Sequence, residues 1–497
     1  MPNAADWDDT LRDLHDRRTR AHELGGPDRV ARQRAAGKLD ARGRIEHLLD
    51  PGSFTEIGTL AGTDAPADAI VAGSGAVEGR PVMVGAEDFT TLGGSIGPAS
   101  NAKRYRIAEL ALRSRIPLVM LLEGAGFRST GATHGRSPTD LLMQARCSGR
   151  VPVVTAVLGA SAGHGALVAP ISDFCVMTEQ GAIFTAGPPV VKESTGEIVS
   201  KEDLGGPGVA LSSGLVHNLA ADDTAALDLV RRYLSYFPSS AWSYPPDDAG
   251  ADAEPRATPE LLELVPRDHR KVYDMRAVLD AIVDGGEWME VQPSFGPSVV
   301  CALTRFGGRA TAVVANNPSH LAGSVDADAA DKAAHFICVA DAFHLPLVFL
   351  ADNPGVLPGS QSERRGVLRS GARMFLAQTF ATSPKVHLTL RKAYGFGSVV
   401  MSLIGFDGQA ATYAYPGAAL GAMGAGASSE AIGADQDVAR ALREAEAEAS
   451  YRSAAGLGFD ELIDPAETRN AILVALARAS VACQAAPEPV LRPPITP

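Results

Sequence analysis

The chain repeats itself, and the repeat limits what it can fold into. GRPVMVGAEDFTTLGGSI, starting at Gly79, returns as GRATAVVANNPSHLAGSV, starting at Gly308, an offset of 229 residues. Gly94, Ser95 and Lys103 recur at that offset as Gly323, Ser324 and Lys332. IPLVMLLEGAGF (116–127) returns as LPLVFLADNPGV (345–356) at the same offset. VPVVTAVLGASAGHGALV (151–168) lies opposite SPKVHLTLRKAYGFGSVV (383–400) with the offset grown to 232. Three inserted residues fit inside a loop, so one fold is expected twice.

Each copy alternates apolar, β-branched runs with helical patterns. PLVMLL and PVVTAVL in the first copy, and PLVFLA and KVHLTL in the second, read as buried strands. Each ends in a glycine-rich turn, and stretches such as NAKRYRIAELALRSR and DKAAHFICVADAF read as the crossover helices. Strand, helix, strand implies an α/β fold with a mostly parallel sheet in each copy. At 497 residues the chain exceeds one core, which agrees with duplication. The expected division is a helical arm over 1–70, a first domain over 71–240, a linker and connecting helix over 241–289, a second domain over 290–483, and an extended tail over 484–497. The linker rests on the Pro- and Asp-rich SSAWSYPPDDAGADAEPRATPE, and the tail on APEPVLRPPITP.

One stretch invites a specific chemistry. GASAGHGA (159–166) contains the G-x-S-x-G pattern of a nucleophile elbow, with Ser161 as the nucleophile and His164 next to it as a base. The repeat argues against that reading, because Gly159 becomes Arg391 and Ser161 becomes Ala393. What both copies keep is Gly163 with Gly395 and Gly165 with Gly397, each after a buried strand and at the mouth of a helix. A helix start leaves backbone N–H groups unpaired and carries partial positive charge, and glycine lets a ligand approach it. Two such turns make two candidate oxyanion holes. The alternative is a pair of purely structural turns. His164 and Phe396, between the glycines, are both bulky, so their side chains are expected to point away while their N–H groups stay available.

Charge and cysteine content exclude several classes. Forty-five Lys and Arg against 58 Asp and Glu give a net charge of −13, which argues against nucleic acid or an anionic membrane as a general partner. The five cysteines are scattered without a C-x-x-C pair, so neither a zinc ribbon nor a disulfide framework is expected, and no metal site is. The charged N-terminus does not read as a signal peptide, and no apolar run reaches membrane-spanning length. A cytoplasmic protein is expected.

Long segments of the chain resemble the carboxyltransferase (β) subunits of biotin-dependent acyl-CoA carboxylases, such as propionyl-CoA carboxylase. They include GKLDARGRIEHLLDPGSF, EDFTTLGGSIG, TAGPPVVKESTGE, VANNPSHLAGSVDADAADKAAHF, DNPGVLPGSQSE and AYPGAALGAMGA, besides the two turns. The resemblance implies two crotonase-like ββα superhelix domains, with the first half of one protomer meeting the second half of another, usually in a hexamer. It implies carboxyl transfer from carboxybiotin to the α-carbon of an acyl-CoA through a thioester enolate. The biotin would sit on a separate carrier, since the chain shows neither a biotinylation motif nor an ATP-grasp segment, and a biotin carboxylase subunit would load it. By position, Gly163 and His164 would hold the thioester oxygen, and Phe396 and Gly397 the biotin ureido oxygen. Gly94, Ser95, Ala125, Gly126, Ala162 and Gly165 would line the acyl-CoA site. Tyr394, Gly395, Gly355 and Val356 would line the biotin site. Val399 falls where members select acyl-chain length, and an apolar residue there leans toward an unbranched or longer chain.

The chain departs from the family pattern at these turns. Ser161-Ala162-Gly163-His164-Gly165 stands where C-A-G-G-A is common, Tyr394-Gly395-Phe396-Gly397-Ser398 where Y-G-G-A-Y is, and Gly124-Ala125-Gly126-Phe127-Arg128 where S-G-G-A-R is. Three other readings therefore stand beside carboxylation: a biotin-linked acyl-CoA decarboxylase, a hydratase or isomerase using Glu123, and an inactive scaffold subunit. Lys103 and Lys332 are expected to meet CoA phosphates or to cap helix surfaces. Glu123 and its counterpart Asp352 share a strand end, as do Asp88 and Asn316, which read as loop-shaping.

Overall fold

A computed structural model describes residues 5–62, 65–128, 138–248, 252, 254–405, 407–481, 487–490 and 495. The chain divides into two compact units, Met1–Ser235 with Arg492–Pro497, and Tyr236–Leu491. Most of the proposed tail lies outside the described residues.

In the first unit a sheet is built from β1 (Thr55–Glu56), β2 (Ile70–Val77), β3 (Arg80–Glu87), β4 (Leu118–Leu122) and β5 (Val153–Val157). After β6 (Ala160–Ala162) the sheet continues with β7 (Phe174–Thr178) and, beyond β8 (Ala182–Phe184), with β9 (Asn218–Ala220). The order is β1-β2-β3-β4-β5-β7-β9, antiparallel through β3 and parallel from there, while β6 and β8 form a small parallel pair of their own. The second unit follows the same plan with β10 (Trp288–Val291), β11 (Val299–Phe306), β12 (Arg309–Asn316), β13 (Leu347–Asn353), β14 (Lys385–Tyr394), β15 (Ala411–Ala414), β16 (Ala419–Gly421) and β17 (Glu461–Leu462). Its order is β10-β11-β12-β13-β14-β15-β17, with β16 alongside the end of β14.

The sequence offset reappears in the coordinates. β2 and β3 recur 229 residues later as β11 and β12, and the register Met83↔Leu118 recurs as Ala312↔Leu347. The hairpins turn at Gly79 (φ +74°) and Gly308 (φ +78°), and each turn is tied by an aspartate, Asp50 or Asp284, that accepts from two successive N–H groups. Both units have the crotonase-like arrangement. β4 and β5 are buried along their whole length, as strands in the middle of a parallel sheet are. The helix Pro98–Ser114 crosses from β3 to β4; it starts on proline, suited to a first helical turn, and stops at Arg115 in a left-handed conformation. Its counterpart Ala327–Ala342 starts on Asp326, whose carboxylate accepts from Ala329 N at 2.9 Å. Each unit closes around its own apolar core, centred on Met120, Val153 and Ile107 in one and on Val348, Val386 and Leu279 in the other.

Candidate active site

The first turn leaves β5, runs through β6 and enters the short helix Gly163–Ala166. Gly163 has φ +56°, the left-handed region, and a Cβ built on it would meet nothing closer than Thr185 O at 3.5 Å. Its conformation, not lack of space, calls for glycine. Two neighbouring turns press against it. Gly126 (φ +83°) leaves 2.8 Å between a built Cβ and Ala162 O, and Gly94 leaves only 2.2 Å to Glu123 O. Ala125 N donates to Gly93 O, Ala162 N to Gly124 O, and Ser95 Oγ to Leu92 O. A Cβ on Gly165 would stand 3.2 Å from Glu87 Oε1. The structure thus gathers Gly94, Ser95, Ala125, Gly126, Ala162, Gly163, His164 and Gly165 into one place. The Ala125 amide is already committed.

The serine-nucleophile reading fails here. Ser161 Oγ is wholly buried and has no hydrogen-bond partner among the described residues. His164 turns away from it, with Nε2 2.5 Å from Asp140 Oδ1 and its ring edge-on to Phe127 at 5.5 Å. The aspartate at the head of the helix Asp140–Cys147 captures the imidazole, so no nucleophile–base pair forms. Asp140 Oδ2 accepts from Arg104 Nε at 2.6 Å, and Arg104 reaches Glu87 Oε1 at 2.6 Å. Burial pushes the Asp140 carboxyl up, but its bonds to His164 and Arg104 prevail and hold it at about 2.

In the second unit β14 runs unbroken through the region that β5 and β6 share in the first, then turns into the helix Gly395–Val400. Gly395 has φ +52° against +56° at Gly163. A Cβ on Gly397 would lie 2.1 Å from Asn353 Oδ1 and 2.7 Å from Gly355 Cα, so this turn is packed tightly against the end of β13. Gly355 N donates to Asn353 Oδ1 at 3.0 Å, and Val356 bridges Val325 as Phe127 bridges Ile96. The Tyr394 hydroxyl donates to Glu446, which pushes the phenol pKa up beyond the effect of its burial. Phe396 leans on Phe375 at 6.1 Å. Val399 is half-buried, and its carbonyl accepts from Gln378 Nε2 at 3.2 Å.

Several charged candidates take other places than expected. Lys103 and Lys332 are buried: Lys103 Nζ donates to Ala67 O and Ile70 O, and Lys332 Nζ to Gln292 O. Burial lowers Lys103 to about 8. Both ammonium groups turn onto main-chain carbonyls inside the fold rather than onto a helix surface. Glu123 is held by Lys38 Nζ and Arg44, each at 2.6 Å, and Asp352 by Arg391 at 2.6 Å and Lys392 at 2.9 Å. Asp88 shapes its loop by accepting from Thr90 and Thr91, but its counterpart is Asn317, which accepts from Ser319, rather than Asn316. The sequence reading missed the contribution of the N-terminal arm. Arg29, Arg32 and Lys38 line a cleft of about 520 Å³ with Phe89, Leu92 and Gly93, beside the end of β3.

The fold and site define an enzyme class built on two crotonase-like repeats, each with one glycine-made helix start. The carboxyl transferase domain family matches residues 32–488, and the chain belongs to that family. The methylmalonyl-CoA carboxyltransferase 12S subunit of Propionibacterium freudenreichii subsp. shermanii is 37% identical over 91% of this chain and 90% of its own length. The propionyl-CoA carboxylase beta chain of Saccharopolyspora erythraea is 37% identical over 94% and 92%. Among solved structures, the transcarboxylase 12S hexamer with methylmalonyl-coenzyme A and methylmalonic acid bound is 35% identical. Its TM-score is 0.89 over 95% of this chain and 96% of that one. No helix among the described residues is long and apolar enough to cross a membrane.

Proposed function

We propose that this chain transfers a carboxyl group from carboxybiotin, carried on a separate subunit, to the α-carbon of an acyl-CoA. The observation that carries the proposal is the matched pair of turns at Gly163 and Gly395, alike in φ and in position within each repeat. Carboxyl transfer of this kind develops negative charge on two oxygens, one on the thioester and one on the ureido group, and each needs its own donors. The N–H groups of Gly163 and His164 hold the first, and those of Phe396 and Gly397 the second. Gly94, Ser95, Ala125, Gly126, Ala162 and Gly165 line the acyl-CoA side, and Tyr394, Gly395, Gly355 and Val356 the biotin side. Val399 borders the acyl chain.

The donor set at the second turn fits a ureido oxygen: main-chain N–H groups at a helix start, with the neighbouring carboxylate of Glu446 tied to Tyr394 and to Ala425 N. When bound, carboxybiotin supplies the CO2 and, at its ureido nitrogen, the base. This chain therefore needs no catalytic acid–base dyad, and the one histidine–carboxylate pair described at the first turn, His164 with Asp140, is turned away from Ser161 and serves to hold the turn. Arg29 and Arg32 offer positive charge to the CoA phosphates in the cleft beside Phe89. The hydratase reading loses its base, because Lys38 and Arg44 already neutralise Glu123. The chain works in the cytoplasm as a hexamer, each active site completed by a second copy.

The test is transfer of labelled CO2 between a panel of acyl-CoAs and free biotin, on protein whose oligomeric state is measured by sedimentation. Biotin-dependent transfer by the oligomer is expected. Biotin-independent hydration of an enoyl-CoA, or full activity in a monomer, would contradict the proposal.

A further inference from the structure

The two turns are fastened to the helix before them by different chemistry. In the second unit the fastening is apolar. Phe396 leans on Phe375 and sits over Gly371, where a built Cβ would come within 3.1 Å of its ring; both partners belong to the helix Val367–Thr379. In the first unit residue 164 is histidine, and it is fastened by a hydrogen bond to a buried carboxylate. Its Nε2 lies 2.5 Å from Asp140 Oδ1, in the first turn of the helix Asp140–Cys147, with Thr139 Oγ1 at 3.5 Å and Phe127 across the ring.

The acceptor is itself immobilised. Asp140 Oδ2 takes bonds from Arg104 Nε at 2.6 Å and Gln144 Nε2 at 2.7 Å, its main-chain N–H donates to Asn101, and Arg104 is pinned to Glu87. Glu87 Oε2 in turn accepts from Glu123 N at the end of β4. The chain of bonds runs from the floor of the first turn, through two carboxylates and one guanidinium, to the imidazole. The imidazole is one-fifth exposed, so it stands at the rim of the turn rather than in the core.

We propose that the His164 side chain is a positioning residue for the acyl-CoA half-site: its bond to Asp140 fixes the turn Gly163–Ala166 in the orientation that aims the N–H groups at the thioester oxygen. The proposal rests on the carboxyltransferase reading above. A loose turn would weaken donors whose value depends on being held in place before charge develops. It would leave the biotin half-site, fastened through Phe396, untouched. In this chain, therefore, one half-site depends on a hydrogen bond that the other does not use.

The experiment compares steady-state transfer by the oligomeric wild type, His164→Ala and His164→Gln, varying acyl-CoA and free biotin separately. His164→Ala is expected to lower kcat with acyl-CoA by about tenfold, the scale of one charge-assisted hydrogen bond, with the KM for biotin unchanged. His164→Gln, which keeps an N–H donor within reach of Asp140, is expected to recover most of that loss. If the alanine variant does not fold, His164→Phe, which borrows the fastening seen at Phe396, replaces it as the variant lacking the bond. Unchanged kcat in the variant without the bond, a glutamine variant no better than it, or a matching rise in the KM for biotin would each overturn the proposal. A wild type inactive toward every acyl-CoA would instead refute the carboxyltransferase reading itself.

Discussion

Ser161→Ala separates the two chemistries that GASAGHGA allows. The Ser161 hydroxyl is fully buried without a partner among the described residues, and a buried unpaired polar group costs roughly 1–3 kcal/mol. Its counterpart Ala393 shows that the same fold accepts a methyl group there, buried to 1% exposure. Removing the hydroxyl gives back part of that cost and leaves a void of one atom, so the variant is expected to be more stable by about 1 kcal/mol. Its transfer rate should stay within about twofold of wild type, since nothing in the proposed donor set changes. Gly163→Val is the contrast. A branched side chain at φ +56° enters a region that costs an L-residue roughly 1–2 kcal/mol, and turning the backbone to escape it moves the N–H groups. Losing one such donor removes ~2.7–4 kcal/mol of transition-state stabilisation, or roughly 10²–10³ in rate. The assay is labelled CO2 transfer at saturating acyl-CoA, paired with urea unfolding of each oligomeric variant. Abolished transfer in a folded Ser161→Ala protein, with an acyl-serine trapped in wild type, would refute the reasoning.

Gly397→Ala should impair transfer from biotin while acyl-CoA binding, measured by calorimetry, is kept, because even one methyl group would lie 2.1 Å from Asn353 Oδ1 and 2.7 Å from Gly355 Cα. Arg44→Met leaves Glu123 with Lys38 and the weaker bond from Gln33 and takes the cation from Asp223, and breaking such a buried pair should lower stability in urea by about 3–5 kcal/mol. The acid limb of unfolding should carry the signature of Asp140. Its carboxyl is depressed to about 2 in the folded protein, so its contribution is complete above the unfolded value of about 4 and is lost as pH falls toward 2. Asp140→Asn should flatten that limb in a pH titration of unfolding, and an unchanged limb would refute the assignment.

The fold was legible because duplication is a long-range signal that survives substitution. Two offsets were enough to place both sheets, both hairpin glycines and both turns, and the pairing of Ser161 with Ala393 already weighed against a nucleophile. The partners of buried charges were not legible, since they come from segments distant in sequence. His164 and Asp140 are 24 residues apart, across a helix and the strands β5 and β6, and Arg44 reaches Glu123 over 79. A trace of the second pairing was nevertheless present. The repeat keeps a carboxylate, Glu123 or Asp352, but has Arg391 in one copy and Gly159 in the other, so the first carboxylate needed a cation from elsewhere. A Cβ on Gly159 would in fact lie 2.2 Å from Glu123 Oε1. The lysines could have been read correctly from period alone. Lys103, Ile107 and Ala111 fall on one helix face, as do Lys332, Phe336 and Ala340, and that face is buried in both copies.

These particulars explain what the two copies preserve and what they let diverge. The turns are alike to within a few degrees at Gly163 and Gly395, whereas the groups that brace them differ throughout. In the first copy the brace is Arg44 and Lys38 on Glu123, from the N-terminal arm; in the second it is Arg391 and Lys392 on Asp352, from the strand itself, with Tyr273 adding a bond at 2.8 Å. Both carboxylate residues also set the glycine beside them, since Cβ atoms built on Gly94 and Gly323 would lie 2.2 and 2.3 Å from the carbonyls of Glu123 and Asp352. A buried carboxylate with two cations is poor as a base and costly to disturb, but it is a good anchor for a strand end. Donors for an oxyanion must be in place before the charge appears, because reorganising them during the reaction would consume the stabilisation they provide. Under the proposed function, a frame that can change its cations while holding two glycine turns still would meet that requirement, and the braces that differ between the copies are those through which one half-site would be tuned without the other.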